Sequence, residues 1–107
     1  MKLSVNDRLI LLGIIPQQGD FTTLKIIRDM KDELSFSEED HQKLKFRLEE
    51  EMIHWEGGFE DKEVNFGEKA TDIITDAFRK LNDQKKLRIE HMELYEKFVG
   101  GVGYGTL

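Results

Sequence analysis

Residues 66–81, FGEKATDIITDAFRKL, constrain the fold more than any other part of the chain because their apolar positions repeat with the period of a helix. Apolar residues stand at positions 66, 70, 73, 74, 77, 78 and 81, which all lie on one broad stripe. Asn65 and Glu68 have the spacing of a capping box. The basic Arg79 and Lys80 lie in the last turn, where the helix dipole favours cations. This stretch predicts a long helix against which the other segments pack.

Four further helices are predicted from capping residues and apolar spacing. Ser4 is a good N-cap for the first helix, and Pro16, the only proline, ends it. Asp20 caps the second helix, and Ser37 with Asp40 has the capping-box spacing for a short third helix. These helices are expected over residues 4–15, over residues 21–34, from about residue 37, and over residues 89–99.

The stretch from residue 43 to residue 56 fits two different structures. Apolar residues at every fourth position would continue the third helix, whereas the alternation of apolar and charged residues indicates strands. The helix would leave Phe46 and Ile53 on its polar side, so we favour strands, and we expect Trp55 in the core. The strands are expected at about residues 52–56 and 62–66, joined by a turn at Gly57-Gly58, with a third near residues 44–48.

The predicted fold is therefore α+β. It is a mainly helical single domain of about four to five helices, with a small antiparallel hairpin or three-stranded sheet around residues 44–66. An all-α fold is the alternative, in which the third helix runs on to Trp55. The domain is expected over residues 1–99, and the glycine-rich residues 100–107 are expected to form a flexible tail.

Charge is spread unevenly along the 107 residues. Residues 31–63 contain twelve acids and five bases, which gives −7; because the whole chain carries −6, the remainder carries +1. With no basic stripe and an acidic middle, direct binding of nucleic acid is not expected. No apolar run approaches the roughly 18 residues of a membrane span, and the first residues lack the apolar core of a signal peptide. We expect a soluble, cytoplasmic protein that does not bind membranes.

The residues that carry chemistry in other proteins are few and badly spaced for it here. The chain has no cysteine, and its three histidines show no spacing typical of a metal site. The three consecutive acids at positions 49–51 point in different directions on a helix or a strand, so they do not converge on one ion. The tail sequence GGVGYG lacks the lysine of a phosphate-binding loop. We expect no catalytic, cofactor or metal site, and no enzyme activity.

What remains is a surface for a protein partner. An acidic face attracts and orients a partner with a basic surface, although acids also serve solubility alone. Phe59 lies between glycine and acids in a loop and is the best candidate for an exposed apolar anchor. Self-association is left open. The candidate partner-binding residues are Glu49, Glu50, Glu51, Glu56, Phe59, Glu60 and Asp61.

Several motifs stand in order along most of the chain. They are DRL at residues 7–9, TLKIIR at 23–28 with LSFSEED at 34–40, GEKA at 67–70 and HMELYEKF at 91–98. In these motifs the chain resembles a group of small uncharacterised proteins encoded by phages and prophages of Gram-positive bacteria. The resemblance implies a phage accessory protein, and carries over no activity. The function that we predict is a non-enzymatic protein–protein interaction module that binds and modulates a host or phage protein through its acidic middle segment, in the host cytoplasm if the chain is phage-encoded. A virion or assembly subunit and a small ligand-binding domain are the alternatives.

Overall fold

The computed structural model describes residues 1–57 and 60–100, and its secondary structure confirms the α+β, mainly helical class. The helices are α1 (Val5–Ile14), α2 (Phe21–Leu34), α3 (Glu38–Leu44) and α4 (Glu68–Asp83). The chain then forms a 3₁₀ turn (Ile89–His91), a short helix α5 (Met92–Tyr95) and a π-helical turn (Glu96–Gly100). The strands are β1 (Lys2–Leu3), β2 (Arg47–Glu49), β3 (Met52–His54) and β4 (Lys62–Glu63).

Helices α1, α2 and α3 begin at the predicted N-caps. The Asp20 carboxylate accepts a hydrogen bond from the Thr23 N–H at 2.7 Å at the start of α2. Capping boxes start the other two: the Ser4 hydroxyl accepts from the N–H of the third helical residue of α1, and the Ser37 hydroxyl does the same in α3. These termini are set by side chains within three residues of the cap, so the sequence alone is enough to locate them.

Helix α4 is the centre of the core, as its apolar stripe predicts. Ile74 and Phe78 are completely buried, and the Phe78 ring packs edge-to-face on Tyr95. The predicted capping box of Asn65 is wrong: Gly67 is the N-cap, and no side chain caps the helix there. The core cluster around α4 consists of Leu3, Leu11, Ile15, Ile27, Met30, Leu34, Val64, Ala70, Ile74, Phe78, Leu94 and Phe98.

The strands exist where alternation predicts them, but their partners differ from the prediction. Strands β2 and β3 pair with each other in antiparallel register, so the turn of this hairpin is Glu50-Glu51, and the predicted pairing of residues 52–56 with residues 62–66 is wrong. Of the predicted turn, Gly58 lies outside the described residues. Strand β4 pairs with β1 at the start of the chain, a strand that the sequence did not indicate. This pairing joins segments about sixty residues apart (Lys2 lies opposite Glu63), and periodicity carries no information on such distant partners.

Neither alternative for residues 43–56 holds in full. Helix α3 stops at Leu44 because Lys45 adopts a left-handed conformation with φ of 49°, which excludes the long helix. Trp55 is only half-buried, with its ring 6.4 Å from that of Phe46, so its expected place in the core is wrong.

The described part of the chain ends at Gly100, which completes the π-helical turn, and the rest of the predicted tail lies outside the described residues. Among the helices of the described ranges, none has both the length and the apolar character to cross a membrane.

Candidate functional site

The predicted partner-binding residues fall in two places. Glu49 ends β2, and Glu50 and Glu51 form the turn that follows, so these three acids share the exposed tip of the hairpin. Glu56 follows β3, two residues beyond the end of the strand. The other residues lie towards β4: Glu60 and Asp61 are exposed just before that strand, and Phe59 lies outside the described residues.

Bases of the same region partly neutralise these acids. The Glu49 carboxylate lies 3.3 Å from Arg47 Nε, and the Glu56 carboxylate lies 3.9 Å from Lys45 Nζ. Both pairs are exposed, so each contributes little to stability. Among the residues that the structure describes, no base lies within ion-pair distance of Glu50 or Glu51. The tip of the hairpin therefore presents unneutralised negative charge.

The turn itself has a backbone that glutamate adopts at a cost. Glu50 and Glu51 have φ of 51° and 64°, the left-handed values of a two-residue hairpin turn. For a residue with a Cβ, this conformation costs about 1–2 kcal/mol, which is why Asn-Gly is the favoured pair in such turns. Glu-Glu here is less stable than the favoured turn and places two carboxylates at the hairpin tip.

The hairpin has an apolar face and a mixed, largely polar face. Leu48 and Ile53 lie opposite each other in the register, so their side chains share one face, while the other carries the pairs Arg47–His54 and Glu49–Met52. Yet Leu48 is 75 % exposed and Ile53 50 % exposed. The apolar face is thus formed but not covered by the protein itself.

That face borders an open depression of about 640 Å³, here called the hairpin groove. Leu48 and Ile53 of the hairpin line it together with Leu9 and Leu12, which lie three residues apart on α1. The remaining lining comes from Ser35, Phe36, His41, Phe46 and Arg47. Most of these side chains are apolar or aromatic, and their polar atoms are few, so the groove favours apolar groups.

An aromatic cluster packs the base of the hairpin, which borders the hairpin groove, against the rest of the protein. The ring of Phe36 lies 5.1 Å from that of Phe46 and 6.2 Å from that of His41, both in edge-to-face geometry. Such pairs add about 0.5–1.5 kcal/mol beyond the area they bury. The base of the hairpin is therefore anchored, whereas its tip and apolar face stand in solvent.

Arg8 connects this cluster to the core. Its guanidinium stacks 3.9 Å from the Phe36 ring centre, donates to the Leu34 carbonyl at 3.0 Å, and donates to the Ser35 carbonyl. These carbonyls end α2 and have no helical donor of their own. Burial lowers the pKa of Arg8 and the charge of nearby Asp40 opposes that shift, and the guanidinium stays charged at neutral pH. Arg8 is a structural residue that orients Phe36.

Histidine and acidic side chains are the metal ligands that this chain offers. Across residues 1–57 and 60–100, no group of three or more histidine, aspartate or glutamate side chains is placed to hold a metal ion. His91 is buried, but its Nδ1 accepts a hydrogen bond from the Arg88 N–H at 3.1 Å and its ring packs against Phe78. His91 is therefore occupied in packing the last helical segment.

Sequence reasoning found the acids of the hairpin but missed the apolar groove beside them. The signal that could have indicated the groove is the width of the apolar face of α1, which includes Leu9 and Leu12 and exceeds a single buried stripe. In the structure both are only half-buried and face the groove. In comparisons with known proteins, no family model, curated protein or solved structure matches the chain. The site has to be interpreted from its geometry.

Proposed function

We propose that this protein is a non-enzymatic protein-binding module whose contact surface is the hairpin groove. The observation that carries the proposal is the uncovered apolar face of the β2–β3 hairpin, where Leu48 and Ile53 are exposed beside Leu9 and Leu12. Two-stranded hairpins are marginal in water unless their apolar face packs against something. A partner that covers this face removes apolar surface from water, which contributes about 25 cal/mol per Å².

The acids at the hairpin tip support the same proposal. On charge alone, the acidity of residues 31–63 is equally consistent with a solubilising surface. What favours recognition is position, because the turn acids Glu50 and Glu51 lie at the tip of the same hairpin whose strands provide the groove-lining pair Leu48 and Ile53. Apolar contacts surrounded by charge are typical of interfaces in which burial supplies affinity and charge supplies orientation.

The sequence resemblance to phage and prophage proteins extends the proposal to a biological setting. On that basis the protein acts in the cytoplasm of a bacterial host and modulates a host or phage protein there. Both statements rest on the motifs alone. The geometry of the groove supports binding in either setting, since it depends only on the exposed apolar and acidic groups.

Self-assembly, as in a virion subunit, is the second candidate. It is favoured by exposed apolar side chains outside the groove: Ile89 is 90 % exposed and Phe21 is 76 % exposed. Single exposed apolar residues are common on monomeric proteins, however. We rank this candidate below the first because neither residue lines a concave surface among the pockets of the described residues.

Affinity capture with matched variants tests the proposal. The groove variant is Leu48→Ser with Ile53→Ser, and the control is Phe21→Ser with Ile89→Ser, which removes apolar side chains elsewhere that are at least as exposed. We expect wild type and control to retain the same host or phage protein and the groove variant to lose it. The purified partner should then bind the groove variant at least about tenfold more weakly, as when an interface centre is removed. Equal binding by all three folded proteins would exclude the groove as the contact surface.

A further inference from the structure

We infer that the segment filling the hairpin groove is an amphipathic helix of the partner, with an apolar stripe flanked by lysine or arginine. This inference rests on the proposed function, because it names the chemistry of the occupant of that same surface. It follows from the shape of the groove, from the chemistry of its lining and from the charges around it.

The lining favours a helix over an added strand. A peptide that extends a sheet gains its affinity from main-chain hydrogen bonds along an edge. The hairpin groove instead offers side chains from two kinds of element: Leu9 and Leu12 from α1, and the Leu48–Ile53 pair from the hairpin. An amphipathic helix carries apolar residues over an arc of about 100°, so one helix can contact both sets at once. A volume of about 640 Å³ is within the range that receives several side chains.

The charges around the groove specify the flanks of that helix. Glu50 and Glu51, the turn acids without an ion-pair partner among the described residues, follow the groove-lining Leu48 by two and three residues, so at about 3.4 Å per residue their backbone lies within some 10 Å of it. Glu49 lies on the opposite face of the hairpin, where it pairs with Arg47. Glu38 lies three residues before the groove-lining His41 and shares its face of α3. The groove lining contains one base, Arg47, which already pairs with Glu49. Basic groups beside the apolar stripe would meet complementary charge.

The same charges disfavour a second copy of this chain as the occupant. Two identical grooves brought together would place like carboxylates face to face, which costs free energy in proportion to their closeness. The chain does contain a basic stretch, residues 79–88 with five bases and one acid, but a groove-to-groove dimer would not bring that stretch to the groove. A basic partner is therefore the occupant that the electrostatics support.

Selection from a peptide library tests the inference without knowledge of the natural partner. Random peptides of about 16 residues, long enough to form a helix, are displayed and selected on the folded full-length protein. They are then counter-selected on the Leu48→Ser, Ile53→Ser variant. We expect enriched peptides to carry apolar residues at i, i+3 or i+4, and i+7, with lysine or arginine beside them. A synthetic copy of the most enriched peptide should become helical on binding, as seen by circular dichroism.

Charge reversal gives the matched control. Glu49, Glu50 and Glu51 changed together to lysine should weaken binding of that peptide at least about tenfold, with most of the loss in the association rate. Reversal of three exposed acids of the last helical segment, Glu90, Glu93 and Glu96, changes the net charge equally and should weaken binding less than about twofold. Equal effects of the two reversals would overturn the role given to the tip acids.

Other outcomes separate this inference from the proposed function. Enriched peptides whose apolar residues alternate, or which are acidic, would overturn the basic helix but leave the groove as a protein-binding surface. Self-association that the groove variant abolishes, seen by sedimentation, would make a second copy the occupant and overturn the inference. If no peptide distinguishes wild type from the groove variant, the inference fails. If in addition the captured partner binds both, the proposed function fails with it.

Discussion

Helix α4 buries its apolar residues, whereas the β2–β3 hairpin leaves its apolar residues exposed to solvent. In α4, Ile74 and Phe78 are fully buried, whereas in the hairpin Leu48 is 75 % exposed. The two regions have apolar residues at the spacing that suits their secondary structure. Regular spacing forms an apolar face in both regions. Whether that face becomes part of the core or a contact surface depends on the elements that pack around it.

The difference comes from the number of elements that reach each face. Helix α4 packs against α1, α2 and the π-helical turn, so its stripe is covered from several directions. The hairpin contacts the rest of the protein at its base, through the rings of Phe36 and Phe46. At its other end, the turn residues Glu50 and Glu51 have a left-handed backbone conformation. We therefore expect α4 to determine global stability and the hairpin to determine binding. Five predictions test this division, beginning with the largest expected effect.

Truncation in α4 should be the most damaging. Phe78→Ala removes a fully buried ring that packs on Tyr95 and Phe98, and we expect it to cost about 3–5 kcal/mol of unfolding free energy. Urea denaturation measures the loss. The adjacent Arg79→Ala, on the exposed side of the same helix, should stay within about 0.5 kcal/mol. A loss below about 1 kcal/mol for Phe78→Ala would remove α4 from its central role.

The second largest loss of stability is expected from substitution of Arg8, which connects the aromatic cluster at the hairpin base to the core. Arg8→Met keeps an apolar stem but leaves the carbonyls at the end of α2 without their charged donor, and we expect a cost of about 2–3 kcal/mol. Arg28→Met, on the exposed side of α2, should be nearly neutral. Because Arg8 stacks on Phe36, nuclear magnetic resonance should also show shifts at Phe46 in the hairpin groove. Unchanged stability in Arg8→Met would show that water satisfies those carbonyls equally well.

A better turn should strengthen the hairpin. Glu50→Asn with Glu51→Gly provides residues that adopt positive φ readily, so the hairpin should gain about 1 kcal/mol against local opening. Amide exchange in β2 and β3 should then slow by about fivefold, with no change in α4. The control, Glu50→Gln with Glu51→Gln, removes the same charges but keeps the left-handed strain. If the control slows exchange as much, the effect is electrostatic and not conformational.

Truncation of the hairpin's apolar face should hardly change stability. Leu48→Ala alters a side chain that is already mostly in water, so we expect a loss within about 0.5 kcal/mol in the same urea titration. Ile74→Ala, the matched change in α4, should cost about 2–5 kcal/mol. A cost above about 2 kcal/mol for Leu48→Ala would mean that the hairpin face is packed in solution, and the comparison between the regions would fail.

The smallest expected effect is the pH dependence of the α2 cap. The hydrogen bond from the Thr23 backbone N–H lowers the pKa of Asp20 below its usual 3.8. The folded pKa is the lower one, so the carboxylate stabilises the fold above pH 3.8, and that contribution is lost as the pH falls through the folded pKa. Asp20→Asn keeps a good cap that does not titrate, so its stability should fall less steeply below about pH 4.

Stability measured against pH for wild type, Asp20→Asn and Asp29→Asn checks this expectation. Asp29 lies on the same helix and is exposed, but it has no capping role. Only in Asp20→Asn should the free energy of unfolding fall less steeply than in the wild type as the pH drops below about 4. Identical acid limbs in all three proteins would show that the cap contributes nothing through its charge.

Local patterns in the sequence predict helices α1 to α4, the starting points of the first three and the distribution of charge. Ser4, Asp20 and Ser37 act on backbone groups within three residues, and the stripe of α4 is a property of that helix alone. Such local interactions are the same whatever the rest of the chain does. The α+β class followed from them together with the alternation near residues 44–66. Gly67 in place of Asn65 as the N-cap of α4 shows the remaining imprecision at helix ends.

Strand pairing and the coverage of apolar faces depend on tertiary contacts between distant parts of the chain. Alternation predicts a strand and its faces, but the partner of β4 is β1, some sixty residues away, and no local pattern contains that choice. The same holds for Leu9 and Leu12: their helix was predicted, yet their exposure in the hairpin groove depends on where α3 and the hairpin lie. Burial is set by everything that surrounds a side chain, so a contact surface made from α1, the aromatic cluster and the hairpin exists only once the chain has folded.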